Sequence, residues 1–293
     1  GFIIAPRLNA TGRLTDAIDS LRLICTRDPI RAERLADILG RENRRRQKLT
    51  DQTYLHAKNC LSSPHPKLLF VASSSYHEGI IGLVAGELVR EFNRPAVVIS
   101  IGEKFSKGSA RSIEGFNIIE VIQRCRKFLV DCGGHPMAAG LTVKTADLEK
   151  LKKCLLRTAE KELSDEKLTP VLSIDCELKL SNLTWKLYEE IEKFAPFGMG
   201  NPKPVFCTRG LRVIGMRTVG NNGKHLKIKL DDPQTKKIEE FSALDGIGFG
   251  MGDWSQKIRV GDLVDIAYTL EKNVWNEEER LELKIKDIRT RLG

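Results

Sequence analysis

The chain of 293 residues contains 41% hydrophobic and 30% charged residues, a composition that fits two ordinary globular domains. It shows neither an apolar run of about 18 residues nor a recognisable signal peptide, so we expect no membrane span and a cytoplasmic protein. More than half of the net charge of +9 lies in residues 1–66, which hold 12 Lys and Arg against 7 Asp and Glu, and this favours a polyanionic partner such as nucleic acid.

The first part of the chain is predicted to be mostly helical. Residues 1–14 are expected to form a loop-like opening, followed by a short helix from about Asp16 to Cys25. Asp28-Pro29 is a typical helix start, with Asp as N-cap and Pro at the first helical position. No proline interrupts the pattern before about Leu61, which predicts a helix of about 30 residues, roughly 45 Å long, suited to linking two lobes. Its arginines fit a solvated face as well as an interdomain or nucleic-acid contact: Arg41, Arg44, Arg45 and Arg46.

An α/β segment is predicted after the break at residues 62–66. Its strands and helices alternate, which argues for a sheet covered by helices. The predicted elements are a strand over 68–72, a helix over 80–92, a strand over 95–99, a turn or short strand over 108–111, a helix over 117–130 that ends at Cys132-Gly133-Gly134, a strand over 141–143 and a charged helix over 146–162.

The clearest domain boundary is the segment 196–204, with three prolines and two glycines. Beyond it the pattern changes to short alternating strands separated by turns. About five are predicted, over 205–214, 225–230, 238–244, 262–270 and 281–288. Five strands in a segment of this size favour a small β-barrel, of which the OB type is a nucleic-acid binder.

Four polar clusters are candidates for binding a phosphate. Arg7 and Arg13, six residues apart near a glycine, could grip one together. The segment 74–79 follows a strand and opens a helix, where an anion finds free N–H groups. In the segment 108–112 a hydroxyl and a guanidinium are close enough to share one phosphate. Gly133-Gly134-His135 offers bare backbone beside an imidazole. Each cluster alone also fits a structural role, the last as a plain turn that ends a helix.

The seven cysteines have irregular spacings, and no Cys-x-x-Cys motif occurs. We therefore expect neither a zinc ribbon nor a disulfide framework, and a reducing compartment.

Six motifs in order resemble the bacterial RecJ family, single-strand-specific 5′→3′ exonucleases of the DHH phosphoesterase superfamily. The motifs are Pro6–Arg13, His77–Gly82, Gly108–Ser112, Gly133–Gly140, Pro196–Pro202 and Gly223–Lys227. The resemblance extends over essentially the whole chain. It implies a DHHA1-type α/β domain preceded by a long linker helix and followed by an OB-fold barrel, with single-stranded DNA threading between the DHHA1 lobe and a DHH lobe.

The resemblance also implies a divalent metal, Mn²⁺ or Mg²⁺, used for phosphodiester hydrolysis in DNA repair and recombination. Family members bind it through aspartates and an Asp-His-His triplet in the DHH lobe, and no Asp-His-His occurs in this sequence. We therefore expect no metal ligand here and an inactive chain when it is alone. The expected organisation is a DHH-lobe tail over 1–16, a helical linker over 17–64, a DHHA1 domain over 65–195 and an OB-fold over 196–293.

The family motifs imply roles in substrate handling. Ser109 and Arg111 are expected to hold the 5′ phosphate, with help from the first motif. His135, on the backbone of its two glycines, is expected to act at the scissile phosphate and is the one catalytic candidate. Lysines of the barrel would contact the DNA backbone, although a solvated strand face explains them equally well. The remaining substrate-binding candidates are Arg7, Asn9, Arg13, His77, Gly133, Gly134, Lys224 and Lys227, with Lys229 on the same strand as the last.

Two other functions stay open from the sequence. The chain could be a non-catalytic single-stranded nucleic-acid-binding module, or a small-substrate DHH-type phosphodiesterase acting on short oligonucleotides or cyclic dinucleotides. The barrel after residue 205 argues against the second, since such enzymes usually end at DHHA1. The expected partners are single-stranded DNA and, through the resemblance, a helicase or a single-strand-binding protein, with no membrane.

Overall fold

The computed structural model describes residues 3–233, 243–275 and 278–291, and divides the chain into two compact units, Gly1–Pro170 and Val171–Gly293. The first unit is α/β and the second is mainly β, and the long helix and the small barrel are both present. The fold class predicted from the sequence is therefore confirmed. No helix within the described ranges is both long and apolar enough to cross a membrane.

Three helices open the first unit: α1 (Ile4–Leu14), α2 (Ile18–Cys25) and α3 (Pro29–Asn59). The Asp28 carboxylate accepts hydrogen bonds from the N–H groups of residues 30 and 31, so it caps the 31-residue helix α3 as the sequence predicts. The loop-like opening expected over residues 1–14 is wrong. This segment is helical because Ala10 and Thr11 are buried on the side of α1 that packs against the other two helices.

A five-stranded sheet with the order β1-β2-β3-β5-β4 forms the centre of the first unit. Its elements are β1 (Leu69–Ser73), α4 (Ile81–Phe92), β2 (Ala96–Ser100), β3 (Phe105–Arg111), α5 (Ile118–Arg124), β4 (Leu129–His135), β5 (Ala138–Lys144) and α6 (Leu148–Glu162). Helices α3 and α4 pack on one face of the sheet, and α5 and α6 on the other. Each face therefore has its own apolar core.

The segment around the two glycines differs from its prediction. The expected helix over 117–130 ends early, at Arg124, and the glycines belong to strand β4 instead of a turn after a helix. Strand β4 pairs antiparallel with β5, placing Gly133 opposite Gly140 and His135 opposite Ala138. This cross-strand pairing satisfies the N–H and C=O groups of the extended backbone, and no local pattern in the sequence predicts it.

Cys125 and Cys154 form a disulfide with a Cα–Cα distance of 6.1 Å, although the sequence predicted no disulfide framework. Cys125 caps the C-terminus of α5 and Cys154 lies in α6. Packing of these two helices in one core brings together cysteines that are 29 residues apart, and their spacing in the sequence does not reveal it.

The second unit is a closed five-stranded barrel with one short added strand. Its elements are β6 (Cys176–Glu177), α7 (Trp185–Glu192), β7 (Phe206–Val219), β8 (His225–Asp231), β9 (Ala243–Gly248), β10 (Leu263–Trp275) and β11 (Glu278–Thr290). Pairing of β10 with β7 closes the barrel, and β6 extends it through β7. Most of the strand expected over 238–244 lies outside the described residues.

The boundary between the two units lies at residues 170 and 171. The sequence placed it at the Pro- and Gly-rich segment 196–204. The difference arises because Leu180, Leu183 and Ile191 pack into the barrel core, which assigns the segment before 196 to the second unit.

Candidate functional site

A cavity of about 450 Å³ lies in the first unit, where the N-terminus of α4 meets strands β3, β4 and β5. Its lining is polar and glycine-rich and includes one residue of α1. The lining residues are Arg13, Glu78, Gly79, Ile81, Gly82, Lys107, Gly108, Ser109, Arg111, Asp131, Gly133, Gly140, Leu141 and Thr142. Four of the residues predicted from the sequence, Arg13, Ser109, Arg111 and Gly133, are thus brought together.

Strand alternation places Ser109 and Arg111 on the cavity face of the sheet. Side chains on a strand point alternately to opposite faces. Ala110, between them, is fully buried in the core formed with α5 and α6. Lys107 has the same parity as Ser109 and Arg111 and also lines the cavity, where its ammonium lies 3.3 Å from the carboxylate of Glu78.

The guanidinium groups of Arg13 and Arg111 lack a carboxylate partner among the described residues. Arg111 donates to the hydroxyl of Ser109 at 3.2 Å and to the carbonyl of Ala110 at 2.8 Å. Arg13 donates to the carbonyl of Gly79 at 3.4 Å. Burial lowers the pKa of Arg111, and the positive charge of Arg13 lowers it further. Two positive charges that repel each other at a partly buried position would be stabilised by a bound anion.

The N-terminus of α4 adds to the positive potential of the cavity. Ile81 and Gly82 line the cavity, and no side chain caps the first turn of the helix. The free N–H groups and the helix dipole both favour an anion at this end. A Cβ at Gly82 would lie 2.9 Å from Ser109 Oγ and 3.0 Å from an Arg111 nitrogen, so only glycine leaves these donors their present positions. A hydroxyl, two guanidiniums and a helix N-terminus thus face one cavity that can hold an anionic group.

Gly79 fixes α1 against the loop before α4. A Cβ at this position would lie 1.7 Å from the carbonyl oxygen of Arg13. Any residue larger than glycine would therefore push the backbone of α1 away. Because Arg13 enters the cavity from the last turn of α1, the bare Gly79 is what allows this approach.

The two neighbouring glycines of β4 have different roles. Gly133 lines the cavity, and a Cβ there would meet nothing within 4 Å. Gly134 has φ +154°, and a Cβ would lie 2.3 Å from the carbonyl oxygen of Ala138. His135 is exposed outside the cavity lining, and its Nδ1 accepts a hydrogen bond from the N–H of Met137 at 3.3 Å. In a neutral ring with this bond the proton is on Nε2, which can then donate to a ligand.

Other predicted residues do not line the cavity. Arg7 and Asn9 are exposed on α1, and Arg7 donates to the carbonyl of Ile3 at 2.6 Å. On a helix, residues six apart point about 120° away from each other, so Arg7 and Arg13 do not converge. His77 is exposed, and its Nδ1 accepts from the N–H of Gly79 at 3.0 Å, which shapes the loop before α4.

The barrel lysines belong to the second unit. Lys224 is exposed just before β8, and its carbonyl accepts from the N–H of Gly252 at 3.1 Å. Lys227 forms an ion pair with Glu282, and both side chains are largely buried. Lys229 is exposed on the same strand. Among the residues that the structure describes, Lys227 is the one of these lysines that pairs with a carboxylate.

Sequence reasoning missed several residues that surround the site. Gly82, Lys107 and Asp131 line the cavity, and Lys107 could have been found by extending the strand pattern back from Arg111. Arg46, which the sequence indicated only as part of the arginine cluster of α3, is a third guanidinium near Arg13. Burial lowers the pKa of Arg46, the charge of Arg13 lowers it further, and Asp51 partly offsets both. The Nε of Arg46 is buried without a hydrogen-bond partner.

The described residues do not fit a metal ion. Nowhere in the described ranges do three His, Cys, Asp or Glu side chains cluster as metal ligands. Three cationic side chains line the cavity, Arg13, Lys107 and Arg111, against the two carboxylates Glu78 and Asp131, and Lys107 pairs with Glu78, so the balance of charge favours an anionic ligand.

In comparisons with known proteins, each of the two units matches a domain family. Residues 65–164 match the DHHA1 domain, and residues 174–287 match the RecJ OB domain. The chain is 35% identical over 291 residues to the single-stranded-DNA-specific exonuclease RecJ of Bacillus subtilis, covering 98% of this chain and 36% of that protein. The RecJ of Haemophilus influenzae is 28% identical, with 97% and 50% covered. The chain thus spans between about a third and half the length of these relatives.

Solved structures of RecJ proteins resemble this chain as well. Crystal structures of RecJ from Thermus thermophilus, in complex with Mg²⁺ and with Mn²⁺, superpose on the whole chain with TM-scores of 0.81 and 0.82 at 26% identity. The chain covers 43% and 41% of those two structures.

Proposed function

Because the chain belongs to the RecJ family, we propose that it supplies the substrate-binding surfaces of a single-stranded-DNA-specific exonuclease that digests from the 5′ end, in DNA repair and recombination. The observation that carries this proposal is the cavity with Arg13, Arg111 and Ser109 at the N-terminus of α4. In this proposal the cavity binds the 5′-terminal phosphate of the strand.

Charge explains why a terminal phosphate would be preferred over an internal one. A terminal monophosphate carries a charge between −1.5 and −2 near neutral pH, whereas an internal phosphodiester carries one negative charge. Two guanidiniums that have no carboxylate partner within the described part of the chain, together with a helix N-terminus, favour the more highly charged group. The Ser109 hydroxyl, which accepts from Arg111, can donate its own proton to a phosphate oxygen.

Strand β4 suits the path of the DNA backbone beyond the first nucleotide. It is an edge strand of the sheet, and Gly133 leaves the backbone bare at the cavity. His135 at the end of the strand would donate a hydrogen bond from Nε2 to the phosphate at the scissile bond, since Nδ1 is engaged by Met137. The imidazole would stabilise negative charge that develops there during hydrolysis.

Hydrolysis itself would depend on a divalent ion such as the Mg²⁺ or Mn²⁺ of the solved RecJ structures. Such an ion activates water and stabilises charge at the phosphate. We propose that a DHH lobe holds it, since the described residues offer no ligand set. The chain by itself would then bind DNA without cutting it. Single-stranded DNA is the partner proposed here, and a helicase or a single-strand-binding protein remains a further proposal from the family.

The test is binding of labelled oligothymidylate with either a 5′ phosphate or a 5′ hydroxyl, measured by fluorescence anisotropy. The wild-type chain should prefer the 5′ phosphate, and Arg111→Ala should abolish most of that preference. Arg90→Ala, at the exposed end of α4, removes the same charge away from the cavity and should keep it. A wild-type chain that binds both oligonucleotides equally would refute the assignment of the cavity.

A further inference from the structure

A second basic groove lies on the opposite face of the sheet from the candidate site. It has a volume of about 590 Å³ and lies between α6 and the turn that follows α5. Ala110 of β3 packs into the core formed with α5 and α6, whereas its neighbours Ser109 and Arg111 face the cavity. The sheet therefore separates the two surfaces. The disulfide between Cys125 and Cys154 joins the two walls of the groove.

On the face of α6 that lines the groove, all the ionisable side chains before the last turn are positively charged. Lys150, Lys153, Arg157 and Lys161 follow one another at intervals of three and four residues, which places them in one row on the helix. The row is about 16 Å long at 1.5 Å per residue. Glu149 and Glu160 are three or four residues from cations of this row but do not line the groove, and within the described ranges neither forms an ion pair with the row.

Most cations of the groove have no carboxylate partner. At its ends Lys150 pairs with Asp147 and Arg124 pairs with Glu162. Within the described ranges, no ion pair involves the other four cations, Lys127, Lys153, Arg157 and Lys161. Like charges four residues apart on a helix repel each other, and a merely solvated helix face would gain from mixed signs at these positions. This segregation of charge favours an anionic ligand.

The floor of the groove is apolar. It includes Phe128 and Cys154, both of which pack against the core formed with α5 and α6. The ammonium of Lys127 lies 5.0 Å from the centre of the Phe128 ring. A ligand for this groove should therefore have anionic groups for the row of cations on α6 and flat apolar surfaces for the floor. A single nucleic-acid strand has both, whereas a duplex keeps the faces of its bases stacked inside.

We propose that this groove binds single-stranded nucleic acid, with phosphates along the α6 row and a base against Phe128. It is a site for the strand separate from the 5′-phosphate cavity and on the other side of the sheet. The ligand class is the one proposed for the whole chain, but the groove does not depend on the cavity or its preference for a terminal phosphate. It would hold a stretch of a few nucleotides along its 16 Å row, as estimated from the helix rise.

The experiment measures the affinity of the full chain for 5′-hydroxyl oligothymidylate over a series of salt concentrations. Replacing Lys153 and Arg157 by alanine should weaken binding roughly tenfold at low salt and reduce the slope of log K against log salt by about 1.4, or 0.7 for each lost phosphate contact. Lys144→Ala with Lys186→Ala removes the same charge from exposed positions outside the groove and should leave the slope within error. An unchanged slope in the groove variant would overturn the proposal.

Two further probes identify the ligand class. The groove variant should lose affinity equally for oligothymidylate and for an abasic strand of equal charge, since both offer the same phosphates, whereas Phe128→Leu should weaken the binding of oligothymidylate alone, since only a base can stack on the ring. An equal loss for a polyglutamate peptide would identify a surface for acidic proteins and overturn the nucleic-acid assignment. The groove variant should keep the preference for a 5′ phosphate, so a failure of the cavity assignment and a failure of the groove assignment are distinguishable.

Discussion

The substitution Gly82→Ala should weaken the binding of a 5′ phosphate without lowering the stability of the chain. The new Cβ would lie 2.9 Å from Ser109 Oγ and 3.0 Å from an Arg111 nitrogen, both at the ends of flexible side chains. These atoms can move aside by a few tenths of an ångström at little cost in folding energy. They can no longer hold a phosphate in the same geometry. Losing one charge-assisted hydrogen bond costs about 1.5–3 kcal/mol, which weakens binding of a 5′-phosphorylated strand roughly ten- to a hundredfold.

The matched control is Gly86→Ala on the same helix, where a new Cβ meets nothing within 4 Å. Alanine in a helix is about 1 kcal/mol more favourable than glycine, so Gly86→Ala should raise Tm by about 2–4 °C and leave binding unchanged. Gly82→Ala should melt no lower than the wild-type chain. The assays are thermal denaturation and fluorescence anisotropy with 5′-phosphorylated oligothymidylate. A Gly82→Ala chain that binds this strand as tightly as the wild type would refute the role of the cavity.

Two other predictions concern stability. Gly134→Ala would bring a Cβ within 2.3 Å of the Ala138 carbonyl at φ +154°, so it should destabilise the first unit by about 1–3 kcal/mol. Gly133→Ala, where a new Cβ meets nothing within 4 Å, should melt like the wild type. Equal melting temperatures of the two variants would contradict this prediction. Burial, and to a smaller extent Cys60, raises the pKa of Tyr76 from 10.0 to about 12, so stability present below pH 10.0 should fall as pH rises toward about 12. Tyr76→Phe should show a smaller fall over this interval in thermal denaturation, and identical pH profiles would count against the assignment.

The sequence predicted the elements whose signals are local. Asp28 and Pro29 fixed the start of α3, because capping and the restricted φ of proline act within one turn. The barrel strands β7, β8, β10 and β11 were found from alternation between turns. The order of six motifs led to the family that the DHHA1 and RecJ OB matches then supported.

The site could be predicted only in part. Ser109 and Arg111 were paired correctly in space because they lie two residues apart on one strand. The approach of Arg13 could not be predicted, since it depends on a contact with Gly79 that spans 66 residues. The same limit applied to residues 1–14, where burial against other helices stabilises a helix that the local sequence pattern does not predict.

By itself, the sequence determined the family, the long helix, the barrel and the residue types that could hold a phosphate. Only the tertiary structure decided where they meet. It placed the two glycines on an edge strand, brought Arg13 beside Arg111 at a helix N-terminus, and separated this cavity from the basic groove by a sheet. The physical reason is that helix capping and strand alternation are set by neighbouring residues, whereas convergence of charge depends on packing between distant segments.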